Sequence, residues 1–461
     1  MAPWHDARVM QPPWKLVVDD LGRIGHAEIE ARPLLLFVGG NNTGKTYLAS
    51  LMWGLLSLSG GLPIVRGDAF RRCVAWIEER YARREQEPTF EITAEVHADL
   101  VQIVNDTLRD QGAALAERTF NRPGFKVGSI EMREVAQNKW SSLRWEPDER
   151  DGRLSARPVA SEFELGIVAS DASGFIEMWL RLQDMGVLGG IRVRVAPSGM
   201  TTGLVHAHPI FLPASRTGFT LLYRTLARQI VGDALIKTDR DRAPVPDLTR
   251  PAVDFVDLLL GLRPEAGGAY PDEAAFLERA LGGRILLRSD IGLPEVLYEH
   301  TAGEPPLPMQ LSSSLVTELA PVVLTLRHVY GYRVLIIEEP EAHLHPKLQR
   351  ILAQVIVRLI RKGLFVWITT HSDNFCQQIN NFMTLGAHPR RAEMQRKHGY
   401  EANDYLDVDD VGGYQFELDA SGRRTVVTEM KKTPQGLVMP TFNRELAALT
   451  DEILDLSEDE A

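Results

Sequence analysis

The sequence predicts an α/β fold: a mostly parallel sheet with flanking helices, joined by an antiparallel β subdomain and a helical insertion. Three observations predict it. An apolar run, Leu34 to Val38, leads through a glycine-rich loop into apolar residues at helical spacing, the order that a phosphate-binding βα unit requires. From Leu311 onward, helix, strand, helix and strand patterns alternate, as successive parallel strands demand. Between these stretches the pattern breaks into short alternating pieces set off by Gly and Pro.

Taken in order, Leu16 to Val18 and Leu34 to Val38 read as strands entering a sheet. After Lys45, the residues Tyr47, Leu48, Leu51, Met52, Leu55 and Leu56 mark one face of a helix. Phe70 to Arg84 and Ala98 to Arg118 carry helical periodicity, and Thr89 to Val96 alternates as a strand does. The pieces Gly128 to Met132, Phe163 to Val168, Ile191 to Val195 and Ile210 to Leu212 complete the expected antiparallel subdomain. Helices follow at Leu221 to Ile236, Val253 to Leu262 and Asp272 to Leu281, then alternation at Arg284 to Arg288 and Glu295 to Tyr298. A helix after Leu311, a strand at Val334 to Ile337, a helix at Leu348 to Arg361 and a strand at Phe365 to Thr369 form the second α/β stretch. Tyr414 to Leu418 and Thr425 to Met430 predict a hairpin, and Phe442 to Leu456 an amphipathic helix. The absence of a sustained heptad argues against long coiled-coil arms.

At 461 residues and 44% hydrophobic composition, the chain can bury a large core, and length predicts about two to three domains. Lys and Arg number 51 against 62 Asp and Glu, a net charge of −11 that is opposite in sign to a general nucleic-acid binder. Two cysteines, Cys73 and Cys376, exclude a disulfide framework and a cysteine-based zinc site. Met1 to Trp14 carries Asp6, Pro12 and Pro13 in place of the apolar core of a secretory signal. The longest apolar stretch, Leu48 to Leu58, is too short for a bilayer. A soluble cytoplasmic protein without a membrane partner is expected.

Gly39-Gly40-Asn41-Asn42-Thr43-Gly44-Lys45-Thr46 matches G-x-x-x-x-G-K-[ST] between an apolar strand and a helix. Its glycines let successive N–H groups face phosphate oxygens, Lys45 reaches the β and γ phosphates, and the Thr46 hydroxyl ligates Mg²⁺. A bland surface turn is the competing reading. Val334-Leu335-Ile336-Ile337-Glu338-Glu339 is an apolar run ending in two acids, which a parallel sheet places at its C-terminal edge, where ligands bind. Glu338 is expected to hold the metal, and Glu339 to orient or deprotonate the attacking water. Thr370-His371-Ser372-Asp373 closes the next strand, so His371 can hydrogen-bond a γ-phosphate or that water.

The phosphate loop, the segment VLIIEEPEAHLHP from Val334 to Pro346 and TTHSD from Thr369 to Asp373 resemble the ABC-type P-loop ATPases of the overcoming-lysogenization-defect (OLD) and RecF-like group. Leu311-Ser312-Ser313-Ser314 sits where that family's signature motif lies, and Phe211-Leu212-Pro213-Ala214-Ser215-Arg216 is the best local likeness between the motifs. The resemblance implies ATP and Mg²⁺ as cofactors and nucleotides sandwiched between two protomers of a homodimer or higher homo-oligomer. In that arrangement Ser312, Ser313 and Ser314 meet the γ-phosphate in trans, although the same serines also suit a plain N-cap. His371 corresponds to the switch histidine. Two departures stand out: Glu338 where many relatives have Asp, and Ser314 where Gly is usual. His343 and His345 could pair on a metal, but the resemblance places them at a protomer interface.

These motifs divide the chain into residues 1–60, the first part of an ATPase lobe; 61–305, the β subdomain and helical insertion; 306–400, the second part of the lobe; and 401–461, a C-terminal hairpin and helix. Asp407-Val408-Asp409 suggests a nuclease metal site but reads better as a solvated acidic loop, so no nuclease activity is expected in this chain. Stand-alone ATPases of this type resemble Septu, PARIS and retron-associated ATPases of antiphage defence. That resemblance implies a sensor and scaffold controlling a separately encoded effector, a nuclease or toxin, with a phage-derived trigger or DNA as further partners. The alternatives are a RecF-like DNA-repair ATPase, using the basic clusters at Arg71-Arg72, Arg80 to Arg84, Arg358 to Lys362, Arg390 to Lys397 and Arg423-Arg424, or a slow nucleotide-locked scaffold.

Overall fold

A computed structural model describes residues 14–58, 62–133, 142–146, 154–159, 167–177, 204–205, 209–236, 248–265, 267–289, 293–433, 435–439, 448, 450–453 and 456. Nine strands form its central sheet: β1 (Lys15–Leu21), β2 (Ile24–Glu30), β3 (Leu34–Gly39), β4 (Ser129–Arg133), β5 (Ile210–Leu212), β6 (Val334–Glu338), β7 (Phe365–Thr370), β8 (Val411–Leu418) and β9 (Thr425–Glu429). Their order across the sheet is β5-β6-β7-β3-β8-β9-β2-β1-β4. The first five strands in that order run parallel. The β8–β9, β2–β1 and β1–β4 pairs are antiparallel.

The parallel half is apolar on both faces, and the period of two in its strands sorts side chains between two cores. Leu34, Leu36, Leu335, Ile337, Val366 and Ile368 join one core. Leu35, Phe37, Val334, Ile336 and Trp367 join the other. Each such buried aliphatic side chain contributes about 1.5–3 kcal/mol, so a slip of register by one residue would be costly throughout. Helix α1 (Lys45–Leu58) and the second half of α2 (Ala94–Phe120) cover the second core. Helices α3 (Arg216–Ile236), α4 (Pro271–Leu281), α5 (Ser314–His328), α6 (Pro346–Arg361) and α7 (Asp373–Ala387) include the covering of the first.

A third core belongs to a separate four-stranded antiparallel sheet, Thr89–Glu91, Ser142–Trp145, Leu154–Pro158 and Ile167–Ala169, with the helix Asp68–Ala82 and the start of α2. Here the alternation read over Thr89 to Val96 ends early, because the Thr93 side chain accepts from the Val96 N–H and starts a helix. Two further placements cross the expected segment boundaries. Strand β5, within 61–305, pairs in parallel with β6, and the 411–429 hairpin lies in the central sheet because β8 pairs with β3. Ile191 to Val195 lies outside the described residues, as do most of Phe163 to Val168 and of Phe442 to Leu456. Among the described residues, no helix is long and apolar enough to cross a membrane.

Candidate functional site

Strand order builds the site. Because β3, β7 and β6 are neighbours in parallel register, Phe37, Thr369 and Glu338 lie level, and the loop after Phe37, the acids after Ile337 and the histidine after Thr370 leave the same edge. The loop backbone is shaped by its glycines. Gly39 has φ +154, and a Cβ there would sit 2.2 Å from the Phe416 carbonyl oxygen, so no other residue fits. Gly44 (φ +90) and Asn42 (φ +61) add left-handed turns to the loop, the backbone conformation from which anion-binding nests of N–H groups are built. Gly40, Asn41, Asn42 and Thr46 are exposed, while Thr43 is buried, its hydroxyl donating to the Gly40 carbonyl at 2.9 Å.

Lys45 is 6% exposed, and its Nζ donates to the Gly39 and Gly40 carbonyls at 2.8 and 2.7 Å. Burial lowers its pKa, and the charges of Glu339, Glu341 and Glu338 oppose that shift. Glu338 is 5% exposed; the Ala214 N–H donates to its Oε2 at 3.1 Å, whereas its buried Oε1 has no hydrogen-bond partner among the described residues. Burial raises the pKa of this carboxyl, and the neighbouring Thr46 hydroxyl pulls it back down. A buried carboxylate oxygen with no donor, beside a threonine hydroxyl, is a hard-oxygen pair that fits Mg²⁺.

Glu339 is held at φ +43, a conformation that costs a non-glycine residue about 1–3 kcal/mol and persists only where its surroundings enforce it. Its N–H donates to the Thr369 carbonyl at 2.8 Å. His371 Nδ1 lies 3.7 Å from Glu339 Oε1 and 3.8 Å from Glu341 Oε1, so the ring sits between two carboxylates. Glu341 is the buried member of this group, accepting from Thr370 Oγ1 at 2.7 Å and from the His371 N–H at 2.9 Å.

The structure thus brings together the phosphate loop, Glu338, Glu339 and His371. Ser312, Ser313 and Ser314 form a different feature: Ser313 is the N-cap residue of α5 without a side-chain capping bond, and Ser313 and Ser314 are exposed. His345 caps α6, its Nδ1 accepting from the Lys347 N–H at 3.3 Å, and His343 (φ +57) is exposed. Sequence reasoning missed Arg216, Glu318 and Glu341. The signals were present, as Arg216 ends the quoted FLPASR segment and Glu341 closes the acidic turn, but neither residue type by spacing alone indicates its partner.

Most of the basic clusters turn out to be paired. Arg71 and Arg72 meet Asp68 and Asp99, Arg80 and Arg83 meet Glu87 and Glu79, Arg358 and Arg361 meet Asp404 and Asp407, and Arg424 meets Asp20.

A strand, a glycine-rich loop and a helix at the edge of five parallel strands, level with two carboxylates from the strand two places along, make the arrangement of a P-loop nucleotide-binding fold. The profile of the AAA ATPase domain matches residues 277–376, which include Ser312 to Ser314, Glu338, Glu339 and His371. No curated protein matches the chain. Among solved structures, the chain is similar to an Smc head bound to the C-winged helix domain of ScpA, at 12% identity and a TM-score of 0.35, covering 90% of this chain and 97% of that one. It is also similar to the SMC head domain from Thermotoga maritima, at 10% and 0.31 over 90% and 98% of the two chains. A third likeness is to an Smc head with an extended coiled coil bound to the C-terminal domain of ScpA, derived from Pyrococcus furiosus, at 12% and 0.35 over 96% and 100%.

Proposed function

We propose that this chain hydrolyses ATP at an interface between two copies of itself and serves, in the manner of the OLD and RecF-like group, as the sensor and scaffold subunit of an antiphage complex that controls a separately encoded effector. The observation that carries the nucleotide part is the donorless, buried Glu338 Oε1 beside Thr46, level with the phosphate loop. Thr46 and Glu338 would hold Mg²⁺, which supplies charge neutralisation at the β and γ phosphates. The loop N–H groups and Lys45 bind the phosphates, Lys45 exchanging its two carbonyl acceptors for phosphate oxygens. Glu339 orients or deprotonates water, and His371, poised between Glu339 and Glu341, contacts the γ-phosphate or that water. Ser313 and Ser314, exposed at a helix N-terminus, are chemically suited to a γ-phosphate presented by a second copy.

The arginine pairing described above supports a neutralised surface over a duplex-DNA groove, and so favours this reading over the repair alternative. The test is purification of the native complex from its host with ATP and Mg²⁺, reading mass and bound polypeptides together. An oligomer carrying a separate nuclease-like or toxic protein supports the defence role. A bare protein that dimerises with ATP and retains duplex DNA replaces it with the repair role.

A further inference from the structure

Arg216 is 1% exposed and belongs to none of the phosphate or metal motifs, yet its guanidinium grips two parts of the site at once. Nη1 donates to the Glu338 carbonyl at 2.5 Å and to the Pro213 carbonyl at 3.2 Å, and Nη2 donates to the Glu339 carbonyl at 3.0 Å. The same group is ion-paired with the equally buried Glu318 and donates from Nε to the Glu318 carbonyl at 3.4 Å. The hydroxyl of the next residue, Thr217, donates to the second carboxylate oxygen of Glu318.

Glu318 lies on α5 about one turn beyond Ser314, so the pair reaches the helix that opens at the exposed serines. At the other end, Arg216 holds the carbonyl of the left-handed Glu339, whose N–H is fixed by Thr369. Only a planar fork can serve successive carbonyls and a carboxylate from one buried point; a lysine ammonium cannot match that geometry.

We propose that Arg216 is a positioning residue that couples the pose of helix α5 to the Glu338-Glu339 backbone, so that a second copy seated on Ser312 to Ser314 changes the aim of the Glu339 carboxylate. This rests on the ATPase reading above. Movement of α5 carries Glu318, the buried ion pair carries Arg216, and the Glu339 carbonyl follows, turning the side chain that faces water.

The full-length protein tests this through ATPase rate per protomer against protein concentration, with MgATP affinity and thermal melting measured in parallel. Wild type should show a rate that rises with concentration as copies pair. Arg216→Lys keeps the charge and loses the fork; it should hold MgATP affinity within about twofold, lower kcat by about tenfold to a hundredfold and abolish the rise with concentration. Glu318→Gln, of the same shape, should do likewise. Should Arg216→Lys fail to fold, Thr217→Val, which removes only the hydroxyl that donates to Glu318 and leaves the ion pair, should still blunt the rise. Folded Glu318→Gln and Thr217→Val proteins with wild-type kcat and concentration dependence would overturn the coupling while leaving the ATPase reading intact. A folded wild type that neither binds nor hydrolyses MgATP would overturn both.

Discussion

Two groups of carboxylates, Glu338-Glu339-Glu341 at and just after the end of β6 and Asp404-Asp407-Asp410 beside the arginines of α6, are treated in opposite ways. Asp404 is fully buried and both of its oxygens are partnered: Arg358 donates at 2.6 and 3.0 Å, Gln354 at 2.6 Å and the Glu401 N–H at 2.7 Å. Asp407 meets Arg361 at 2.8 Å. By contrast, Glu338 and Glu341 each keep one buried oxygen without a hydrogen-bond partner among the described residues. A buried charge left short of donors is unfavourable unless something else arrives to satisfy it. Pairing therefore separates an acidic group whose charges are matched within the fold from one that keeps unmatched oxygens beside the glycine-rich loop.

The contrast can be broken most directly at Lys45. Lys45→Ala should weaken binding of a fluorescent ATP analogue at least about a hundredfold, the loss of a charge-assisted phosphate contact in a buried site; unchanged affinity would remove the nucleotide site altogether. Next in size, Glu339→Gln should bind MgATP as wild type does but lose about 10²–10⁴ in kcat, and size-exclusion chromatography with ATP should find the closed assembly enriched. On the other side of the comparison, Asp404→Asn removes the buried negative charge that faces Arg358 and should cost about 3 kcal/mol, seen as a fall of several degrees in melting temperature. Nucleotide affinity of the folded Asp404→Asn protein should stay at the wild-type value, and a large change there would blur the distinction.

The smallest effect is one of pH. Because burial raises the Glu338 pKa, protons compete with Mg²⁺ at that carboxylate, and metal affinity should fall by up to about tenfold per unit as pH drops below the raised value. Without metal the sign reverses. The folded state holds this proton more tightly than the unfolded chain, so the contribution of Glu338 to stability is full below its ordinary value of 4.5 and is lost as pH rises through the raised one. Melting curves in EDTA should show the Glu338→Gln protein gaining on wild type as pH rises through that window; a gap that does not change with pH would contradict the burial of this group.

The phosphate loop and the paired acids were legible because their chemistry is written in contiguous residues next to a strand. The strand read over Thr89 to Val96 ran too long: alternation holds over Thr89–Glu91, but Thr93 caps a helix that opens at Ala94, and a single capping threonine is a weaker local signal than alternation. The hairpin at 411–429 was readable as a hairpin, but its pairing with β3 was not, since parallel pairing joins residues far apart in sequence. No local pattern marks Glu341 as buried; its burial follows from the approach of Thr370 at the end of the neighbouring strand and of His371 just past it.

By itself, then, the sequence determined the α/β class, the strand, glycine-rich loop and helix in succession, and the acids and histidine that leave strand ends, because periodicity, glycine conformation and residue chemistry act over a few residues. Only the tertiary structure decided which acids are satisfied and which are left open, and that Arg216 and Glu318, 102 residues apart, meet beneath Glu338 and Glu339. Burial and ion pairing depend on which distant elements pack together, and no local pattern carries that information.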